Sequence, residues 1–154
     1  MSTLVLSQLA PDFTLPSTAG GSFQLSSARG SRAVVILFFP LAWSSVCTKE
    51  LCSVRDDLAR YRDLDALVVG ISIDSVFALG AWAKEQKFDF PLLSDFNREV
   101  IELYDVVDPD LFGQKRVARR SVFVIDREGR LKHREVCASA GDLPDFAAVL
   151  AALG

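Results

Sequence analysis

The sequence predicts an α/β protein whose central mixed β-sheet is flanked by helices on both faces, with a β-hairpin extension at the N-terminus. Three observations carry that expectation. Two β-branched, apolar runs, residues 34–39 and 66–73, have the composition of strands buried on both faces. Between and after them, apolar residues recur at helical spacing. Toward the C-terminus, a tight turn at residues 126–129 joins two more strand-like runs ahead of a last helical stretch, so the strands do not all run one way.

The elements follow in order. Over Pro11–Leu25, Phe13 and Leu15 precede Gly20-Gly21, and Phe23 and Leu25 follow, which is a hairpin signal around a glycine turn. Arg32–Phe39 is a strand. Ser44–Arg62 reads as one helix, with Val46, Leu51, Val54, Leu58 and Tyr61 on its apolar stripe and Cys47 off it. Ala66–Ile73 is the second buried strand. Ser75–Gln86 is a helix burying Phe77, Leu79, Trp82 and Ala83. A short strand, Pro91–Leu93, and a short helix, Asn97–Tyr104, lead into a polar segment, Asp105–Arg119, read as irregular. Ser121–Ile125 and Arg130–Val136 form a hairpin, and Asp142 caps a final helix ending at Leu153. A thioredoxin-like arrangement fits this order, as one domain over residues 1–154.

Composition removes several function classes. The 154 residues are 50% hydrophobic and 24% charged, a globular balance, and a net charge of −3 gives no general attraction to nucleic acid or anionic membranes. Met1–Ala10 carries no basic residue and too short an apolar run for a signal peptide, and no run reaches the length of a membrane span. A cytoplasmic location is the expectation, with no nucleic-acid and no membrane partner. The cluster Lys115-Arg116-x-x-Arg119-Arg120 lacks interleaved aromatic residues and reads as a solvated loop plus one functional arginine. With His133 as the only histidine, a two-histidine zinc site is excluded, and the Cys47–Cys52 spacing does not suit a structural zinc site. No metal and no cofactor is expected.

The chemistry concentrates on Cys47. With Ser44 as N-cap, Cys47 falls at the third helical position, where first-turn N–H groups have no intrahelical partner. An anion there accepts those donors and meets the positive end of the helix dipole, so the position favours a thiolate. Ser44 adds a hydroxyl one turn away, and Pro40 stiffens the link from the preceding strand. A buried, inert cysteine is the competing reading; the polar first-turn position argues against it.

Pro40-x-x-x-Ser44-x-x-Cys47 resembles the peroxiredoxin active-site motif. Ala10-Pro11-Asp12-Phe13-Thr14-Leu15 is similar to that family's opening, Phe90–Asp95 to its middle strand and loop, and Arg120–Asp126 to the segment with its active-site arginine. Phe39–Trp43 is nearest the alkyl hydroperoxide reductase E-like branch, whereas Cys47–Cys52 resembles the bacterioferritin comigratory protein, or Q-type, branch. The resemblance implies a thiol peroxidase acting on hydrogen peroxide or organic hydroperoxides. Cys47 would be the peroxidatic sulfur, Ser44 a peroxide ligand, Arg120 the group beside the sulfur in preference to Arg119, and Glu50 its orienter. Cys52 would be the resolving cysteine and Cys137 the reserve candidate. Thioredoxin or a low-molecular-weight thiol would recycle the enzyme, as a monomer or homodimer. Residues five apart on a helix are ~7.5 Å apart along its axis, so a Cys47–Cys52 bridge requires local unwinding. A thiol–disulfide oxidoreductase and a non-enzymatic redox-sensing module remain open alternatives. Trp43 is expected on an apolar rim near Cys47, and His133 in a structural or solvated role.

Overall fold

The computed structural model describes residues 4–154; the first three residues of the Met1–Ala10 segment lie outside the described residues. Five strands form the central sheet: β3 (Ala33–Phe38), β4 (Ala66–Ser72), β5 (Leu92–Ser94), β8 (Ser121–Ile125) and β9 (Leu131–Val136). Their order is β5-β4-β3-β8-β9, with β3, β4 and β5 parallel and β8 antiparallel to both β3 and β9. The mixed sheet expected from the sequence is therefore present. A separate hairpin, β1 (Thr14–Pro16) and β2 (Ser22–Gln24), turns through Gly20 and Gly21, both at positive φ, and leans on β5 through a Ser17–Leu93 bridge.

The continuous apolar run of β3 explains why two cores exist. Successive strand side chains point to opposite faces, so a strand buried on both needs apolar residues throughout. Val34, Ile36 and Phe38 enter one core with Phe13, Leu15, Ile101, Tyr104 and Phe123. Val35, Leu37 and Phe39 enter the other with Leu51, Val54, Leu79, Trp82 and Val149. Four helices cover this second face: α1 (Ser45–Asp56), α2 (Leu58–Asp63), α3 (Val76–Gln86) and α5 (Phe146–Leu153). The first face carries α4 (Glu99–Leu103), a short 3-10 helix over Leu25–Ala28, the β1–β2 hairpin and a further hairpin, β6 (Val107–Leu111) and β7 (Gln114–Ala118). Gly70 leaves room for the side chains of Leu92 and Phe39, since a Cβ there would stand 2.7 Å from Leu92 Cδ2 and 3.2 Å from Phe39 Cε1.

Several expectations are corrected. The segment Asp105–Arg119 is a paired hairpin, with Phe112 and Gly113 at positive φ in its turn. The helix read over Ser44–Arg62 breaks at Asp57, which leaves helical geometry at φ −104° and ψ 9°. The stripe of α1 runs through Cys47, Glu50, Leu51 and Val54, while Val46 is only half-buried. The glutamate and cysteine break the hydrophobic pattern but share the inward face by their three-residue spacing. Phe77, at 85% exposure, points away from the core that takes Leu79 and Trp82. Asp145, not Asp142, caps α5, its carboxylate accepting from Ala148 N at 3.1 Å. Among the described residues, no helix is long and apolar enough to cross a membrane.

Candidate active site

β3 delivers Pro40 to the carboxyl edge of the sheet, where Phe39 N still donates to Ile71 O. The chain then turns through Leu41–Ser44 and enters α1. Ser44 is the N-cap by backbone geometry, and Thr48 N donates to its carbonyl at 2.9 Å. Its hydroxyl instead donates to Leu41 O at 3.0 Å, so the expected side-chain bond across the first helical turn is replaced by one closing the loop. Cys47 occupies the third helical position as expected, and its side chain is fully buried.

The register of β8 brings the arginine to it. Phe38 pairs with Ser121, so Arg120 lies one residue beyond the end of β3, directly beside the loop to Cys47. Its guanidinium forks to three acceptors. Nη2 donates to Cys47 Sγ at 3.2 Å, Nη1 to Glu50 Oε1 at 2.6 Å, and Nε to the Ala140 carbonyl at 3.1 Å. The planar array of five donors makes such a fork available to arginine and not to lysine. Arg119 faces the other way, exposed, with Nε donating to Val107 O. Lys115 pairs with Asp110 and Arg116 with Glu102, so the basic cluster disperses along the β6–β7 hairpin.

Glu50 is fully buried; its Oε2 has no hydrogen-bond partner. Burial pushes its carboxyl up to about 7, against the opposing pull of the Arg120 charge and hydrogen bond. Burial opposes the charge on Arg120 as well, but Glu50 and Cys47 outweigh it and keep the guanidinium protonated.

The other cysteines stand apart. Cys52 is half-buried on α1 with Sγ 3.5 Å from Gln86 Oε1. Cys137 follows β9, and its N–H donates to the Arg120 carbonyl at 2.9 Å. Burial, reinforced by Glu135 and Glu50, pushes the Cys137 thiol up to about 11. Trp43 is 52% exposed with φ +70° and does not line the cavity beside Pro40, Ser44 and Arg120, contrary to the expected apolar rim. His133 is half-buried on β9, where its Nε2 lacks a partner.

Two contributors escaped the sequence reading. The Ala140 carbonyl, a backbone group, carries no sequence signal. Asp74 does: an aspartate two residues after a serine at a strand end is a turn signature. Asp74 Oδ2 accepts from Ala42 N at 2.8 Å and from Ser72 Oγ at 2.6 Å, and the Asp74 carbonyl accepts from Ser94 Oγ at 2.7 Å. It ties the loop ahead of Cys47 to the ends of β4 and β5.

The sequence matches the AhpC/TSA family over residues 6–134. It is 36% identical over 129 residues to alkyl hydroperoxide reductase E of Mycobacterium tuberculosis, covering 82% of each chain. It is 33% identical over 139 residues to the chloroplastic 2-cysteine peroxiredoxin of Chattonella marina var. antiqua, covering 84% of this chain and 69% of that one. Among solved structures, peroxidoxin BcpB from Mycobacterium tuberculosis aligns with a TM-score of 0.85 at 31% identity, over 97% of this chain and 96% of that one. Peroxiredoxin Q of Xanthomonas campestris aligns at 0.83 and 27% identity, over 99% and 96%. The chain belongs to the AhpC/TSA family, the peroxiredoxins. It is a thiol-dependent peroxidase, and its relatives carry names from both branches that the motif segments resemble.

Proposed function

We propose that Cys47 is the peroxidatic cysteine of this enzyme, with Arg120 beside it, Glu50 and Ala140 orienting the arginine, and Ser44 and Pro40 shaping the peroxide site. The observation that carries the assignment is the 3.2 Å hydrogen bond from Arg120 Nη2 to Cys47 Sγ. The Cys47 thiolate attacks the distal oxygen of a hydroperoxide; the S–O bond forms as the O–O bond breaks, and the released oxygen takes a proton to leave as water or an alcohol. Sulfur loses two electrons and the peroxide gains them. Arg120 stabilises the charge that moves from sulfur to the leaving oxygen. Ser44 donates to a peroxide oxygen by turning its hydroxyl from Leu41 O.

Cys52 then condenses with the Cys47 sulfenic acid, releasing water and forming a disulfide, once the first turns of α1 unwind. Thioredoxin or a small thiol reduces that bridge, in a reducing compartment such as the cytoplasm, where the starting thiols persist.

A stopped-flow experiment tests the assignment. Reduced protein mixed with substoichiometric hydrogen peroxide changes its tryptophan emission far faster than free cysteine reacts, and Cys47→Ser abolishes the change. A rate no greater than that of free cysteine removes the peroxidatic role of Cys47. Fast reaction with protein disulfides and slow reaction with peroxide assigns a disulfide oxidoreductase instead.

A further inference from the structure

Helix α3 ends at Gln86, and Lys87 caps it in the left-handed region at φ +57°. The last carbonyls of a helix have no intrahelical donor. Gln86 O takes its donor from α1 instead, where Arg55 Nη1 reaches it at 2.6 Å. A cation at the negative end of the α3 dipole is well placed, and the bond is charge-assisted. The side chain of the same glutamine makes a second contact with α1, in which Cys52 Sγ donates to Gln86 Oε1 at 3.5 Å. Cys52 and Arg55 stand three residues apart and so share one face of α1. One residue of α3 therefore holds α1 at two points. The backbone contact is strong, and the side-chain contact is weak because a thiol is a poor donor. Oxidation of Cys47 by peroxide uses neither contact, but any movement of Cys52 must break the second.

We propose that Gln86 is a positioning residue for the resolving step: its side-chain oxygen latches Cys52 in the helix, and release of that latch limits formation of the Cys47–Cys52 disulfide. This rests on the resolving role of Cys52 in the peroxidase reading. The two sulfurs cannot meet on an intact helix, so Cys52 leaves Gln86 Oε1 before it reaches Cys47. Arg55 keeps its hold on Gln86 O meanwhile, and the last turn of α1 stays against α3. In the step itself the Cys52 thiol gives up its proton, its sulfur bonds to the Cys47 sulfenic sulfur, and the S–O bond breaks with departure of water. A second hydroperoxide competes for the same sulfenic acid. Its O–O bond breaks as a new S–O bond forms, which leaves Cys47 sulfinic acid and releases water or an alcohol. The latch thus sets how long the sulfenic acid waits and what share of it is over-oxidised.

The test follows a single turnover of the full chain with hydrogen peroxide, stopped at intervals by a thiol-alkylating agent and read by peptide mass spectrometry. It separates the oxidation of Cys47 from the later appearance of the Cys47–Cys52 peptide. Gln86→Leu removes Oε1 and keeps the carbonyl that holds Arg55. Its rate of Cys47 oxidation should be unchanged, while disulfide formation speeds up by about two- to fivefold, the low end of what one neutral hydrogen bond supplies. Under excess peroxide, the sulfinic share of Cys47 falls by a similar factor. Gln86→Glu, which retains an acceptor oxygen, does not accelerate the step. Nor does Arg55→Leu, which removes the strong contact and leaves the latch. Disulfide formation in Gln86→Leu at the unaltered rate or slower overturns the proposal. Equal acceleration by Arg55→Leu also overturns it, because any loosening of α1 from α3 would then suffice. If the unaltered protein forms no Cys47–Cys52 peptide, the resolving role of Cys52 fails and the latch with it, a result distinct from failure of the latch alone.

Discussion

Replacing Glu50 with glutamine removes a titration that folding has moved close to neutrality. Burial raises the Glu50 carboxyl from 4.5 to about 7, with Arg120 opposing. Between those pH values the folded protein keeps a proton that the unfolded chain has released. The contribution to stability is therefore fully present below the unfolded value and is lost as pH rises through about 7, the reverse of a carboxylate stabilised in its charged form. A span of about 2.5 pH units at ~1.4 kcal/mol each gives about 3 kcal/mol. Glu50→Gln preserves shape and cannot ionise. The difference in unfolding free energy between the unaltered protein and the variant should therefore shift by about 3 kcal/mol against the unaltered protein between pH 4.5 and 8. Urea titrations followed by tryptophan emission, with excess reductant, supply the measurement. Because other titrating groups occur in both proteins, they cancel in the difference. A difference that stays flat with pH, or that moves in favour of the unaltered protein as pH rises, refutes the reasoning. The latter result means that the pair with Arg120 more than offsets burial.

Three further outcomes follow from the same geometry. Arg120→Lys should slow Cys47 oxidation by about 10²–10³-fold, since lysine cannot serve Cys47, Glu50 and Ala140 together, whereas Arg119→Lys should stay within a few-fold; stopped-flow oxidation rates decide, and a reversed order moves the role to Arg119. Oxidised protein should yield a Cys47–Cys52 cross-linked peptide together with faster hydrogen exchange across Ser45–Cys52, because both sulfurs start on one intact helix. Stable Cys47 sulfinic acid with α1 still protected argues for a one-cysteine mechanism. Asp74→Ala leaves Ala42 N without its acceptor and should slow peroxide reaction about tenfold at a stability cost of ~1–3 kcal/mol, with Asp74→Asn recovering most of the rate; equal rates in all three proteins show that the loop does not need this anchor.

Much of this protein is local, and what is local was legible. The all-apolar runs of β3 and β4 announced strands buried on both faces, and the Asp126–Gly129 turn announced the β8–β9 hairpin. Ser44 and Cys47 took their places at the start of α1 because capping preference and helical spacing are read along the chain. The β6–β7 hairpin is not legible along the chain because its residues are mostly exposed and charged and only Val117 and Ala118, which are adjacent, are buried. Aspartates at 142 and 145 offer equal local capping signals, and the fold alone selects Asp145 for α5. Helical spacing does not reveal that Phe77 points outward, because a helix's phase toward the sheet is set by what it packs against.

The sequence by itself determined the mixed α/β architecture, the helix-start position of Cys47, and, through its motif segments, the family and the candidate arginine. Only the tertiary structure decided that Arg120 reaches the sulfur. That contact spans 73 residues and depends on the antiparallel pairing of Phe38 with Ser121. Tertiary packing alone also buried Glu50 without a donor for Oε2, and set the Ala140 carbonyl and the Asp74 carboxylate around the site. The physical reason is one of range: capping and periodicity act within a turn or two of chain, whereas charge, burial and strand register act between segments that meet only in the folded state.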